Sequence, residues 1–207
     1  MPGRQGGPAP SPGRPSRQEV AAAYGKTVAD LIAPGLEVLF CGINPSLYSA
    51  AVGYHFARPG NRFWPALHAA GFTDRLLRPA EQRLLLGRGL GITNLVDRAT
   101  AAADELAADE LIAGALQLEA KVRRHRPAFV AVLGVTAYRA AFGRRHAAPG
   151  RQADRLAGAG LWVLPNPSGL NAHYQLPDLA LAFGELRRAV GPSNGHRDKC
   201  DRRSGCD

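Results

Sequence analysis

Two Asn-Pro-Ser tripeptides occupy similar places in the chain, each directly after an apolar run. The first spans residues 44–46 and the second 166–168, about 120 residues later. Proline fixes its own φ and keeps the preceding residue extended, so Asn44 and Asn166 are presented on stiff backbone. An asparagine amide accepts and donates hydrogen bonds but cannot lose a proton, which suits it to positioning a water molecule rather than to strong base chemistry. A turn with a purely conformational role is the alternative for Asn44.

Aromatic and basic side chains are concentrated in residues 53–64. Aromatic rings can stack on an unpaired base, and arginine can reach phosphate. We therefore expect Phe56 or Tyr54 at a pocket, with Arg58 and Arg62 as candidate phosphate contacts. The same residues also fit a hydrophobic core followed by a helix start, and we expect both. The residues expected in the core are Phe63 and Trp64.

The second tripeptide continues as Gly169-Leu170-Asn171, which places an apolar side chain among turn-forming polar residues. Apolar wedges that enter the base stack distort DNA, and a base taken out of a duplex leaves a gap to fill. Ser168 and neighbouring backbone amides could hold a phosphate. The alternative is that Leu170 packs inward beneath the last helix.

The intervening elements alternate between short apolar runs and helical patterns. Such near-continuous apolar strands predict a parallel sheet covered on both faces by helices, with ligand sites at the carboxyl ends of the strands. The predicted strands are 37–42, 91–96, 128–134 and 160–165, and the predicted helices are 19–32, 62–71, 79–88, 104–125, 135–142 and 177–190. This rule selects three loops, which follow Phe40, Val96 and Leu164; the first and the last contain the two Asn-Pro-Ser tripeptides.

Composition predicts one folded domain over residues 19–190, flanked by disordered tails at 1–18 and 191–207 that are rich in glycine, proline and polar residues. The formal net charge is +9, which is compatible with a polyanionic partner but equally with an arginine-rich solvated surface. No long apolar stretch predicts a membrane span or a signal peptide, so we expect a cytoplasmic protein.

The three cysteines do not predict a metal site. Cys41 ends an apolar run and fits a small buried side chain, while Cys200 and Cys206 lie in the polar tail. Neither a Cys-x-x-Cys nor a His-x-x-x-His spacing occurs, so we expect no metal and no other cofactor.

Several segments together resemble the mismatch-specific uracil DNA glycosylases, the bacterial MUG and thymine-DNA glycosylase branch of the uracil-DNA glycosylase superfamily. The resemblance covers about residues 28–190. The segments that carry it are 42–46, 56–64, 70–73, 91–96 and 164–170. It implies a three-layer α/β/α single domain with a central, mainly parallel four- or five-stranded sheet. It also implies a monomer that acts on double-stranded DNA containing a mismatched or damaged pyrimidine, with no cofactor.

The resemblance assigns a role to most of the residues above. Asn44 would orient the attacking water near C1′ of a flipped nucleotide, backbone groups around Ile43 would hold the base, and the Phe56 ring would stack on it. Ser49 falls where the family has a polar residue near the base. Leu170 would wedge into the vacated space. The neighbours expected to read the unpaired guanine or contact DNA are Asn166, Ser168, Gly169 and Asn171.

Three positions depart from relatives, and two of them, 44 and 166, depart from the relatives with the strongest water-activating pair. Those relatives have Asp at position 44 and His at position 166, so the asparagines here predict slower chemistry that relies on a weakened base pair. Asn94 stands where bacterial relatives often have lysine, and a neutral amide there could bind the base and broaden the substrate range. The alternatives are a reader of flipped bases without catalysis and a glycosylase whose main lesion is another base, such as hypoxanthine. A small-molecule enzyme of nucleotide metabolism would need a phosphate-binding glycine motif, which the sequence lacks.

Overall fold

A computed structural model describes residues 14–191 as a five-stranded sheet between two layers of helices. The strands are β1 (Val38–Gly42), β2 (Leu90–Asn94), β3 (Phe129–Leu133), β4 (Gly150–Leu156) and β5 (Ala159–Leu164). The α-helices are α1 (Arg17–Ala21), α2 (Leu47–Val52), α3 (Phe63–Ala69), α4 (Ala108–His125), α5 (Val135–Phe142) and α6 (Leu176–Val190), with 3₁₀ segments at Pro79–Arg88 and Ala103–Glu105.

The strand order is β2-β1-β3-β5-β4, and only β4 runs antiparallel to its neighbour among these strands. The predicted α/β class, the three layers and the mainly parallel sheet are therefore confirmed. Consecutive residues of β1 point to opposite faces: Phe40 joins the core beneath α3 and α6, and Leu39 joins the core beneath α4. Both faces of the strand are buried, which explains its uninterrupted apolar sequence.

The predicted helix over 19–32 was wrong in most of its length. Helix α1 ends at Ala21, and Gly25 then adopts a left-handed φ of 74°. Further on, Leu31 exchanges two backbone hydrogen bonds of 2.8 Å with Ile92 and so protects the exposed edge of β2. The pairing with a strand distant in sequence overrides the local helical pattern.

Other boundaries also differ from the sequence-based expectations. Residues 79–88 form a 3₁₀ rather than an α-helix, and α4 begins at Ala108 instead of 104. Helix α2 and strand β4 were not predicted. Strand β4 lacks an apolar run because it is a largely exposed edge strand.

The predicted tails lie mostly outside the described residues, as do Cys200 and Cys206. The part of the first tail that is described contains the start of α1 at Arg17, capped by Ser16. Cys41 is fully buried, and burial raises the pKa of its thiol. Within residues 14–191, the helices are too short or too polar to cross a membrane.

Two glycines in helices provide a matched test of packing. A Cβ on Gly114 of α4 would lie 2.3 Å from the Leu95 carbonyl oxygen, which is immovable backbone, whereas the nearest atom to a Cβ on Gly184 of α6 is the Arg188 guanidinium at 3.6 Å. Gly114→Ala should destabilise the fold by about 1–3 kcal/mol through overpacking. Gly184→Ala should stabilise it by about 0.5–1 kcal/mol, the usual helix preference for alanine.

Urea unfolding of the two variants beside the wild type measures both effects. If both variants shifted the urea midpoint equally and in the same direction, the close approach of Gly114 in α4 to Leu95 would be contradicted.

Candidate active site

One pocket lies at the carboxyl ends of β1, β2, β3 and β5, where the topology rule predicted it. Its volume of about 110 Å³ is below the roughly 300–1,000 Å³ of drug-sized sites, so it suits a single small ring. The predicted residues that line it are Ile43, Asn44, Ser49, Phe56, Arg58, Asn94, Asn166, Ser168 and Leu170. The predicted residues outside its lining are Arg62, Gly169 and Asn171.

Asn44 is held in one orientation by the loop that follows β2. Its Nδ2 donates to the Arg98 carbonyl oxygen at 3.1 Å and to the Thr100 hydroxyl at 2.7 Å, and that hydroxyl donates to the Ala102 carbonyl oxygen. A carbonyl oxygen can only accept, so the contact with Arg98 identifies the nitrogen of the amide. The remaining Oδ1 is an acceptor on a pocket-lining side chain, and such an acceptor can orient a water. Nothing in the sequence pattern singled out Arg98 or Thr100.

Phe56 forms a fixed aromatic surface in the pocket. Its ring stacks on the buried Phe63 ring with centroids 4.1 Å apart and planes 24° from parallel. The Phe56 backbone has φ 52°, a left-handed conformation that is uncommon for a bulky residue. Ser49 holds the adjoining chain, because its hydroxyl accepts a 3.0 Å bond from the Ala57 amide. One face of the Phe56 ring is therefore covered, and the ring lines the pocket.

Asn94 extends from the end of β2 and is 4% exposed. Its side-chain amide makes no hydrogen bond to any part of the chain that the structure describes, although it lines the pocket. Gly42 on the neighbouring strand makes room for it: a Cβ there would lie 2.5 Å from the Asn94 Oδ1 and 3.2 Å from the Phe56 ring. A buried amide without a partner among residues 14–191 is expected to bind a ligand or a water molecule.

Comparison with known proteins gives the family. The sequence profile of the uracil DNA glycosylase superfamily matches residues 29–187. The chain belongs to the uracil DNA glycosylase superfamily. It is therefore a DNA N-glycosylase, a hydrolase that acts on DNA and serves DNA repair. Among solved structures, the fold is similar to that of a candidate uracil DNA glycosylase from Methanosarcina acetivorans, with a TM-score of 0.50 and 17% sequence identity over 79% of this chain and 98% of that one.

The 166–171 loop of the glycosylase leaves Leu170 at the rim of the pocket with 69% of its surface exposed. The alternative in which this side chain packs beneath the last helix is therefore wrong. Gly169 lies so close to the 58–60 loop that a Cβ would come within 2.6 Å of the Gly60 carbonyl oxygen. The loop thus rests against the aromatic and basic segment while its apolar tip points away from the core.

Arg62 has a different position from the one expected. Its guanidinium donates to the carbonyl oxygens of Ser168, Asn171 and Tyr174 and to the Gln175 side chain, and its backbone amide donates to the Pro167 carbonyl oxygen. The expected phosphate contact is corrected, because these donors already have acceptors within the protein. Arg62 instead fixes the loop that carries Leu170.

Two of the polar residues in this loop also make bonds within it. The Asn166 Oδ1 accepts from the Ser168 amide, and the Asn171 side chain donates to the Asn166 carbonyl oxygen and accepts from the His173 amide. Both the nitrogen and the oxygen of the Asn171 side-chain amide are therefore used in shaping the loop. The Asn166 Nδ2 has no hydrogen-bond partner within the described chain and belongs to a pocket-lining side chain.

An ionic cluster that the sequence did not predict supports the end of β2. The Thr93 hydroxyl donates to Asp30 at 2.7 Å, and the Lys121 Nζ lies 3.0 Å from that hydroxyl and 2.8 Å from the other Asp30 oxygen. Burial by itself would lower the pKa of Lys121, but the hydrogen bond and charge of Asp30 outweigh it and raise this pKa. The cluster fixes the residue that precedes Asn94.

His55 precedes Phe56 and is 3% exposed. Its Nε2 donates to the Ala29 carbonyl oxygen at 3.0 Å, next to Asp30, and its own carbonyl oxygen accepts from the Trp64 indole. Burial lowers the pKa of this imidazole, and the hydrogen bond to Ala29 offsets only part of that effect. The ring is therefore held neutral as part of the pocket wall.

Arg62 and Arg58 provide a matched test of loop anchoring. Arg62→Gln should lower the free energy of unfolding by about 1.5–3 kcal/mol, the range for hydrogen bonds to charged groups. It should also speed amide hydrogen exchange across residues 168–175. Arg58→Gln removes the same charge from an exposed side chain that has no bonding partner in the described part of the chain, and it should change neither quantity. Unchanged exchange in Arg62→Gln would show that the loop does not depend on this residue.

His55 predicts an acid-sensitive fold. Because the pKa of His55 is lowered in the folded state, the unfolded chain binds more protons as pH falls below about 6.5. The free energy of unfolding should therefore decrease from pH 7 to pH 5, and His55→Gln should flatten this dependence. His146→Gln, at an exposed position, is the control and should retain the wild-type slope. A wild-type slope in His55→Gln would contradict the assignment.

Proposed function

We propose that this glycosylase removes uracil, or thymine and related damaged pyrimidines, paired with guanine, and that it belongs to the mismatch-specific MUG and thymine-DNA glycosylase branch. The observation that supports this most is the convergence of Asn44, Phe56 and Asn94 on one small pocket. The enzyme would act as a monomer and leave an abasic site, with no lyase step.

The pocket suits a pyrimidine that has been turned out of the duplex. Phe56 offers a ring face for stacking, and the Asn94 amide offers both a donor and an acceptor for the polar edge of the base. The small volume and the buried amide together favour one pyrimidine ring. Base recognition therefore rests on elements that the fold holds rigid before DNA binds.

Hydrolysis requires a water aimed at C1′ while the base departs as an anion. The Asn44 Oδ1 would orient this water, since its partner nitrogen is fixed by Arg98 and Thr100. An amide cannot remove the proton fully, so the developing charge on the base must be stabilised by donors in the pocket, among which the backbone around Ile43 is our candidate. Positioning would contribute much of the remaining rate enhancement.

The exposed tip of the 166–171 loop supports action on a mismatched pair. Leu170 would enter the space that the base leaves, and the bonds from Arg62 hold the loop ready for that step. Unpairing is easiest at a mismatch, so a slow enzyme with an asparagine in place of a general base gains most on guanine–uracil and guanine–thymine pairs.

Single-turnover cleavage of a duplex with one guanine–uracil pair tests the activity and Asn44 together. The wild type should release uracil, and Asn44→Ala should be slower by about a hundredfold or more, as for loss of a group that positions or activates a nucleophile. Affinity for a duplex with an uncleavable abasic analogue should remain close to that of the wild type. Binding without release would instead indicate a reader of flipped bases, or a glycosylase for another lesion such as hypoxanthine.

Asn94→Lys tests the role of the neutral amide in substrate choice. A lysine would replace a donor–acceptor pair by a charged donor beside the base, so the ratio of uracil release from single-stranded DNA to release from a guanine–uracil duplex should fall. An unchanged ratio would remove Asn94 from the determinants of substrate range.

A further inference from the structure

A groove on the surface connects the pocket to the N-terminal helix. It leaves the pocket at Ser46, Arg58 and Ala101, which line both, and passes Tyr48 to reach Arg14 and Arg17. The loop of Leu170 contributes no lining residue to it. The groove is therefore a second way out of the pocket, separate from the rim where Leu170 lies.

Three arginines give the groove its charge. The side chains of Arg14, Arg17 and Arg58 make no ion pair or hydrogen bond with the described chain, and none of the described residues that line the groove is acidic. Elsewhere in the described chain arginines form ion pairs with carboxylates, as Arg75 does with Glu81 and Arg98 with Glu110. Three unpaired guanidinium groups along one groove form a surface that is complementary to a row of phosphates.

The segment that carries Arg14 and Arg17 is anchored to the domain. Ser16 and Glu19 cap α1 reciprocally, so the one carboxylate of this helix is bonded to the Ser16 amide at 2.7 Å. Ala23 is fully buried, and the Gly25 amide donates to the Ala99 carbonyl oxygen at 2.9 Å. The arginines therefore have defined places relative to the pocket.

We propose that this groove binds the phosphodiester backbone of the DNA strand that carries the target base, on one side of the flipped nucleotide. The inference rests on the proposed function, because it takes the pocket as the place of the flipped base. When one nucleotide enters the pocket, the DNA strand continues away from it on both the 5′ and the 3′ side. The groove offers a cationic path for the strand on one of these sides. Tyr48 stands along this path and can donate its hydroxyl to a phosphate oxygen.

Charge-removing variants with a matched control test the groove. The double variant Arg14→Gln, Arg17→Gln removes two charges from the groove. The control, Arg83→Gln with Arg145→Gln, removes two exposed and unpaired arginines that do not line the groove or the pocket. A third protein, Arg14→Lys with Arg17→Lys, keeps the charge, and thermal unfolding of all three verifies that they fold.

Binding is measured by fluorescence anisotropy on a duplex with an uncleavable abasic analogue opposite guanine, over a series of salt concentrations. The slope of log K against log salt should become shallower by about 0.9 for each phosphate that the variant no longer neutralises, so by up to about 1.8 for the glutamine variant. The control and the lysine variant should keep nearly the wild-type slope. Equal slopes for the glutamine variant and the control would overturn the proposal.

Shortened duplexes distinguish binding of one side of the DNA strand in the groove from a general electrostatic attraction of the whole duplex. Two further duplexes are shortened on the 5′ or the 3′ side of the analogue. The defect of the glutamine variant should disappear on one of them and persist on the other, whereas an equal defect on both would overturn the proposal. Failure of the wild type to release uracil would remove the proposed function but leave this asymmetry measurable, so the two failures can be told apart.

Discussion

The missing side chain at Gly42 is the constraint on which the pocket depends. Here β1 and β2 end side by side, and the space above Gly42 is occupied by the Asn94 amide and the edge of the Phe56 ring. Any larger residue would displace one of them. The cavity of about 110 Å³ is thus shaped at this end of the sheet by close contact between the Gly42 backbone and the two side chains above it.

The parts of the site around this contact are held by different kinds of interaction. Asn44 is oriented by the neutral hydrogen bonds that it donates to the loop after β2, and the end of β2 is held by the partly exposed ion pair of Asp30 and Lys121. The rim is held by one arginine that donates to three carbonyl oxygens. The proposed role of Asn44 in orienting a water requires this rigidity, since an amide that only positions a nucleophile gains nothing if it moves.

Composition does not reveal which positive charges are bonded within the protein and which are free to contact a ligand. The Arg62 guanidinium is bonded to the 166–171 loop, whereas the guanidinium of the nearby Arg58 has no partner within the described residues. The net charge of +9 therefore overstates what is available to DNA, and the groove beside α1 is where unpaired charge meets the pocket.

The α/β class, the four buried strands and most of the residues that meet at their carboxyl ends follow from the sequence. They do so because parallel strands buried on both faces must be apolar, and because the two Asn-Pro-Ser turns and the segment around Phe56 are local in sequence. The non-helical course of residues 25–33, the anchoring role of Arg62 and the orientation of Asn44 by Thr100 do not follow from the sequence, because each arises from contacts between segments distant in the chain, such as the pairing of Leu31 with Ile92. Strand β4 was missed for a different reason: it is a largely exposed edge strand and has no apolar run.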